Sequence, residues 1–212
     1  MCYKVVIDMR YVENPYSGLS RFSTNIFYKL LKNGLDKDIF FILLFPPKRI
    51  SQHLNKFYSI KKSKIRIIHS YSKRGLQWKF PFLILDLRLY FFLRKEKVNI
   101  FLSPYIDPPL LPGIKVISTI HDLIFLNFYF YFNNFRVIKR FFSELRILLT
   151  LFYSEKIITV SKTSKNILIE RYKFIPFIKT KLDNITVIYN GISKLNKIEN
   201  ILNKDLTSDS NY

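Results

Sequence analysis

Cysteine is nearly absent from this chain. Cys2 stands alone, so no disulfide can form within it and no multi-cysteine metal site can be built. Alanine is missing altogether, and glycine occurs only 5 times. Long apolar runs are missing as well. The longest charge-free stretch, residues 123–135, falls short of the roughly 20 residues that a membrane span needs, and it contains the polar pair Asn133 and Asn134. No transmembrane helix is therefore expected. A secretory leader is not expected either, because Asp8 and Arg10 interrupt the one early apolar segment and no small-residue cleavage site follows it. These absences point to a chain that starts out in the cytoplasm.

Acidic residues are also scarce. The sequence sets 15 of them against 35 lysines and arginines, a net charge of +20. Disorder does not follow from that charge, because 49% of the residues are hydrophobic and 17% aromatic, ample material for a core. A length of 212 residues suits one domain and a short tail. Abundant Lys, Ile, Asn, Phe and Tyr without Ala is what AT-rich coding yields, so part of the lysine excess has that origin. Whatever its origin, the positive field draws the chain toward anionic membrane, nucleic acid or phosphorylated ligands.

Periodicity organises the chain as alternating strands and helices. Residues 3–7 form a short β-branched strand, and a loop with Pro15 and Gly18 follows. Phe22, Ile26, Phe27, Leu30 and Leu31 then recur at helical spacing, with Gly34 as the stop. Strands are predicted at 38–45, 64–69, 99–103, 115–120, 156–160 and 185–188, with helices at 82–94 and 135–153 and one running from Ser161, its N-cap, to Tyr172. In the 135–153 helix, Ile138, Phe141, Phe142, Leu145, Leu148 and Phe152 make the apolar stripe, opposite Arg136, Lys139, Arg140 and Arg146. This alternation predicts an α/β fold: a Rossmann-like, mainly parallel sheet with helices on both faces. From Lys194 the chain turns polar and reads as a tail over 194–212, after a domain of 1–193.

Ligands of open α/β sheets bind beyond the carboxyl ends of the strands. Gly18, Ser103, His121 and Ser161 all fall there, and Asn190-Gly191 closes the last predicted strand. Gly18 sits in the turn that feeds a helix whose N-terminal N–H groups and dipole suit a phosphate, and Ser20 can cap that helix. His53 and His69 have no partner at a functional spacing. Asp36-Lys37-Asp38 matches a short metal-binding pattern but precedes a strand, where a solvated turn is the better reading. There is no Walker loop, zinc pattern or hydrolase elbow.

Four segments in order, each at a strand end, resemble one known family. They are Ile7-Asp8-Met9-Arg10 with Ser17-Gly18-Leu19-Ser20-Arg21-Phe22, then residues 115–123 (KVISTIHDL), 157–164 (IITVSKTS) and 187–192 (VIYNGI). Together they look like the amino-terminal domain of glycosyltransferase family 4, whose members are retaining enzymes of the two-lobed GT-B type that use nucleotide sugars. The resemblance implies that Gly18, Ser20 and Arg21 approach the donor diphosphate, although Ser20 stands where the family usually has Gly or Ala. It implies that His121 hydrogen-bonds the transferred sugar and that Asp122 orients the imidazole or its turn, with Ser103, Ser161, Asn190 and Gly191 as further cleft residues. A nucleotide sugar is then a co-substrate, and neither a cofactor nor a metal is expected.

The family's carboxyl-terminal lobe usually carries two glutamates separated by seven residues. No pair among Glu13, Glu96, Glu144, Glu155, Glu170 and Glu199 is so spaced. The expectation is a single lobe of a GT-B hexosyltransferase, the acceptor side, working with a separately encoded donor lobe or surviving as a decayed fragment. Its acceptor is expected to be a polysaccharide or lipid-linked glycan. Residues 135–153 are the candidate element for docking on anionic lipid, which would make the protein peripheral on the inner face of the cytoplasmic membrane. The rival reading is a non-catalytic basic interaction protein that binds anionic surfaces or nucleic acid, although nucleic acid is the disfavoured partner.

Overall fold

The aliphatic residues of the first strand, Val5, Val6 and Ile7, are all buried, and that fact organises the architecture. The computed structural model describes residues 3–12, 17–33, 39–46, 64–70, 87–106, 111–123 and 136–191. Within these, β1 (Tyr3–Asp8) lies inside a seven-stranded sheet of order β3-β2-β1-β4-β5-β6-β7, between β2 and β4. The other strands are β2 (Ile39–Phe45), β3 (Ile65–His69), β4 (Ile100–Ser103), β5 (Lys115–Ile120), β6 (Lys156–Thr159) and β7 (Thr186–Val187). All six pairings are parallel. A parallel sheet is covered on both faces, so its strands read as continuous apolar runs; Val5-Val6-Ile7 and Phe41-Ile42-Leu43-Leu44-Phe45 do so.

Alternate residues serve opposite faces. Val5, Ile7, Phe41 and Leu43 pack with Phe27 of α1 (Gly18–Lys32). Val6, Ile42 and Leu44 meet Leu89 and Leu93 of α2 (Leu87–Lys95) on the other side. A third cluster joins Ile120 and Ile157 of the sheet to α3 (Arg136–Tyr153), α4 (Lys162–Tyr172) and α5 (Pro176–Asp183), through Ile147, Leu151, Leu168, Ile178 and Leu182. Among the described residues no helix is long and apolar enough to cross a membrane.

Three local expectations change. The N-cap of α1 is Ser17, whose Oγ accepts from the Ser20 N–H at 3.1 Å, so the helix starts before Ser20 and Ser20 is buried in its first turn. The short α5 follows α4 where no helix is expected from the pattern; it begins with Pro at its first position and turns only Ile178 and Leu182 inward. The stripe of α3 is rotated as well: Ile147, Thr150 and Leu151 face the core, whereas Phe141 and Phe152 are 61% and 57% exposed. That helix is apolar around so wide an arc that periodicity alone does not say which part meets the sheet, and packing on β5, β6, α4 and α5 chooses. Gly34, the Asp36-Lys37-Asp38 turn, the 82–86 part of its helix, His53, the side chains of residues 136–140 and the 194–212 tail lie outside the described residues.

Candidate functional site

The order of the strands locates the site. The chain leaves β1 toward β2 and β3, then returns across β1 to β4, so the connections part in opposite directions between β1 and β4. Such a reversal opens a crevice beyond the carboxyl ends of those two strands. Asp8 ends β1, Ser103 ends β4, and His121 follows β5 directly.

The floor of the crevice is a buried ion pair. Asp8 ends the strand and Arg10 lies in the turn that follows it, folded back on the carboxylate, and both side chains are wholly buried. Arg10 Nε donates to Asp8 Oδ1 at 2.9 Å and Nη2 donates to Oδ2 at 2.8 Å, a bidentate fork, while the Arg10 backbone N–H donates to Oδ1 at 3.1 Å. The Tyr105 hydroxyl donates to the Asp8 carbonyl at 2.8 Å and accepts from the Tyr11 N–H at 3.2 Å. Ser103 Oγ in turn donates to the Tyr105 carbonyl at 3.0 Å. Ser103 is thus fully buried and holds the turn that carries Tyr105 across to β1.

Beyond that floor lies the N-terminus of α1. The first-turn N–H groups of a helix have no partner within the helix. Here the Ser17 cap takes up that of Ser20, and Arg21 N–H donates to the Ser17 carbonyl at 3.1 Å, leaving Gly18 and Leu19 at the tip. Gly18 is not at positive φ, and a Cβ placed on it would meet nothing within 4 Å. The backbone therefore does not require glycine, and the space before it is open. Arg21 is exposed one turn further on.

His121 joins this helix to β4 and β5. Its Nε2 lies 2.8 Å from the Pro104 carbonyl, which can only accept, so Nε2 carries the proton and a neutral ring presents the Nδ1 lone pair. Phe22 of α1 meets the ring edge-on, with centroids 4.4 Å apart. Burial holds the His121 pKa below its ordinary value, against the opposing effects of the Pro104 hydrogen bond and then of Asp122. The carbonyl of Pro104 orients the imidazole; Asp122, expected to orient the imidazole or its turn, is exposed beside it.

Ser161 caps α4, accepting from the Ser164 N–H at 3.0 Å. Its hydroxyl also donates to Ser164 Oγ at 3.0 Å, and Ser164 Oγ donates to the His121 carbonyl at 3.3 Å. A cap here also braces the backbone under the imidazole. Ser161→Ala should lower stability by about 1 kcal/mol, read as a shift of the urea midpoint, since the cap bond is lost and Ser164 keeps its own. Asn190 and Gly191 are exposed just after β7, two strands beyond β5, and are not drawn to the His121 cluster.

The sequence pattern thus places Gly18, Arg21, Ser103, His121 and Ser161 along one edge of the sheet. Pro104, Tyr105, Phe22 and Ser164 were not singled out, since what joins them is contact between segments up to a hundred residues apart. The Asp8–Arg10 pair was legible in principle, as opposite charges two residues apart at a strand end. Among the described residues no three His, Cys, Asp or Glu side chains gather as a metal site.

A search of curated proteins finds no match to the chain. Among solved structures it resembles UGT89C1 of Arabidopsis thaliana, determined in complex with UDP, with a TM-score of 0.55 and 13% identity. At that identity the likeness speaks for the fold, that of a GT-B glycosyltransferase. The match takes in 100% of this chain but 56% of that protein, so the chain spans little more than half its length. The model of Glycosyltransferase Family 4 matches residues 18–194, from the Gly18 helix tip past His121 and the Ser161 cap to the end of the sheet. A parallel α/β lobe of this kind, matched over most of its length, belongs to glycosyltransferase family 4.

Proposed function

We propose that the chain is the acceptor-side lobe of a sugar transferase that moves a hexose from a nucleotide sugar to a polysaccharide or lipid-linked glycan. The observation that carries this reading is the contact between Phe22 and His121, which sets the open N-terminus of α1 beside an oriented, neutral imidazole. One group suits a diphosphate and the other a sugar hydroxyl, the two ends of a nucleotide sugar near its reacting bond.

Each part has a stated task. The N–H groups of Gly18 and Leu19, with the helix dipole, favour the charge that develops on the diphosphate as the bond to the sugar breaks. Arg21, exposed three residues further along the helix, adds a cation within reach of that charge. His121 Nδ1 accepts from a hydroxyl of the transferred sugar and fixes its orientation, and neither His121 nor Asp122 serves as nucleophile. Release of a nucleoside diphosphate needs cations on both walls of the cleft. The second wall would come from a donor lobe outside these residues, and no metal is assigned.

Turnover of nucleotide sugar by the purified chain, alone and mixed with a donor lobe, tests this assignment. Transfer that requires the donor lobe supports it; robust transfer by the chain alone overturns it. Gly18→Ala separates site from scaffold. The new methyl has room in the fold and removes a flexible residue from the first turn, so stability should hold or rise by about 0.5 kcal/mol. The same methyl occupies the open space before the helix tip, and KM for the nucleotide sugar should rise about tenfold. A variant that loses stability and keeps its KM would place the diphosphate elsewhere.

A further inference from the structure

Among the described residues, the most exposed large apolar side chains lie far from the crevice. Phe174 and Phe177 are 80% and 82% exposed and flank the Ile175-Pro176 step between α4 and α5. Their neighbours in sequence turn the other way: Ile178 is buried and Ile175 packs against the same core cluster. A solvated turn is ordinarily polar, and two adjacent exposed phenylalanines on it call for a partner. The run from Arg171 to Lys181 (RYKFIPFIKTK) holds no acid, the nearest being Glu170 and Asp183 at its two ends. Arg171 is engaged by Glu144, and Lys181 Nζ donates to the Ser154 carbonyl at 2.9 Å. Lys173 and Lys179 remain on the outside, with Lys173 Nζ 5.1 Å from the centre of the Phe174 ring.

The fold places this turn at one end of the molecule. α4 starts at Ser161, at the carboxyl edge of the sheet, and runs back to Tyr172 near the edge where the strands begin. α3 ends at that same edge, immediately before β6, with Phe152 57% and Tyr153 40% exposed. Exposed aromatics from α3 and from the α4–α5 turn therefore share one edge, with lysines beside them.

We propose that this edge, centred on Phe174 and Phe177, docks the protein on an anionic membrane surface. Phenylalanines enter the boundary between headgroups and acyl chains, and Lys173 and Lys179 stay at the level of the lipid phosphates. Charge complementarity decides for a lipid surface over a second copy of the chain, because two copies facing each other through this edge would bring lysine against lysine in a molecule of net charge +20. The docking element is then the α4–α5 turn with the last turn of α3, in place of the whole 135–153 helix. The eleven residues of α4, about 16 Å of helix, hold the His121 edge off the membrane and leave its crevice open to a second lobe and to an acceptor that extends from the bilayer.

Co-sedimentation with vesicles tests the proposal without any assay of transfer, so its failure is separable from failure of the functional reading above. The chain should bind phosphatidylcholine vesicles that contain phosphatidylglycerol, bind those of phosphatidylcholine alone weakly, and lose binding as salt rises. Phe174→Ser with Phe177→Ser should lower the partition coefficient at least about tenfold with an unchanged circular dichroism spectrum. Lys173→Gln with Lys179→Gln should remove a large part of the salt-dependent component. No binding to the anionic vesicles, or equal binding by the doubly serine-substituted chain, overturns the proposal. So does a dimer in solution that the two serines dissolve, which would assign the edge to a second copy.

Discussion

His121→Ala should lower sugar transfer by the assembled enzyme about a hundredfold or more while leaving the sheet folded. The ring is held from two sides, by the Pro104 carbonyl at 2.8 Å and by the edge of Phe22 at 4.4 Å between centroids, so it has been positioned before substrate arrives. Removing it deletes an oriented acceptor and leaves a sugar hydroxyl unpaired in the closed cleft. His121→Asn is the informative companion, because its amide oxygen can stand near the position of Nδ1 and should restore part of the rate. Equal rates for the alanine variant and the parent enzyme would remove His121 from the reaction.

The same geometry dictates a pH dependence. Burial holds the His121 pKa below 6.5, so the ring is neutral at pH 7 and stays so as the pH falls to that ordinary value. Transfer should decline only at lower pH, when Nδ1 gains a proton and turns from acceptor to donor. A reaction that needed the imidazolium would show the opposite, a rate falling as pH rises. Folding follows the linked sign. Below 6.5 the unfolded chain takes up the proton before the folded one does, so stability is full above 6.5 and is lost as pH falls from there toward the folded-state pKa.

The largest effect on stability should come from splitting the buried pair. Asp8→Ala leaves the Arg10 guanidinium enclosed without its carboxylate, and Arg10→Ala leaves the carboxylate without its fork; each should cost about 3 kcal/mol or more in urea unfolding. Replacing both, as Asp8→Leu with Arg10→Met, should recover most of that loss, since neither charge then needs to leave water. A cost below about 1 kcal/mol for both single variants would show that the pair is not enclosed as described. The doubly apolar variant also isolates what the ions contribute beyond stability. The Asp8 carboxylate also accepts from the Arg10 N–H at 3.1 Å and so fixes the turn after β1, and a stable variant that lacks it should still show a raised KM for the nucleotide sugar.

How much of this was legible follows from the range of each signal. β5 matches its expected residues at both ends, and β1, β2 and β4 lie within one residue of theirs, because a strand buried on both faces leaves an unbroken apolar run bounded by turn residues. The Ser161 cap was readable from a serine between a strand and a helical pattern. α5 was overlooked, though Pro176 at its start and the Ile178–Leu182 spacing were the available signs; eight residues give periodicity too little length to register. In α3 the stripe from Phe141 to Phe152 was visible, but its direction was not. A stripe reports that one arc of a helix is apolar, and only the neighbours decide whether that arc meets the core or the outside.

The site divides in the same way. Gly18, Ser103, His121 and Ser161 could be placed at strand ends from sequence, since alternation of strand and helix brings every such end to one edge of a parallel sheet. Their partners could not. Pro104 fixes the His121 tautomer and Phe22 steadies the ring, and neither relation has a pattern along the chain, because it is the order β1-β4-β5 that brings them together. By itself, then, the sequence determined an α/β lobe of glycosyltransferase family type and the sheet edge on which the candidate residues lie, through signals that act within one strand or helix. Which imidazole nitrogen is held by Pro104, which carboxylate and guanidinium pair beneath it, and which aromatic residues were left outside were decided by tertiary packing. Those are contacts between segments distant in the chain, and local periodicity carries no record of them.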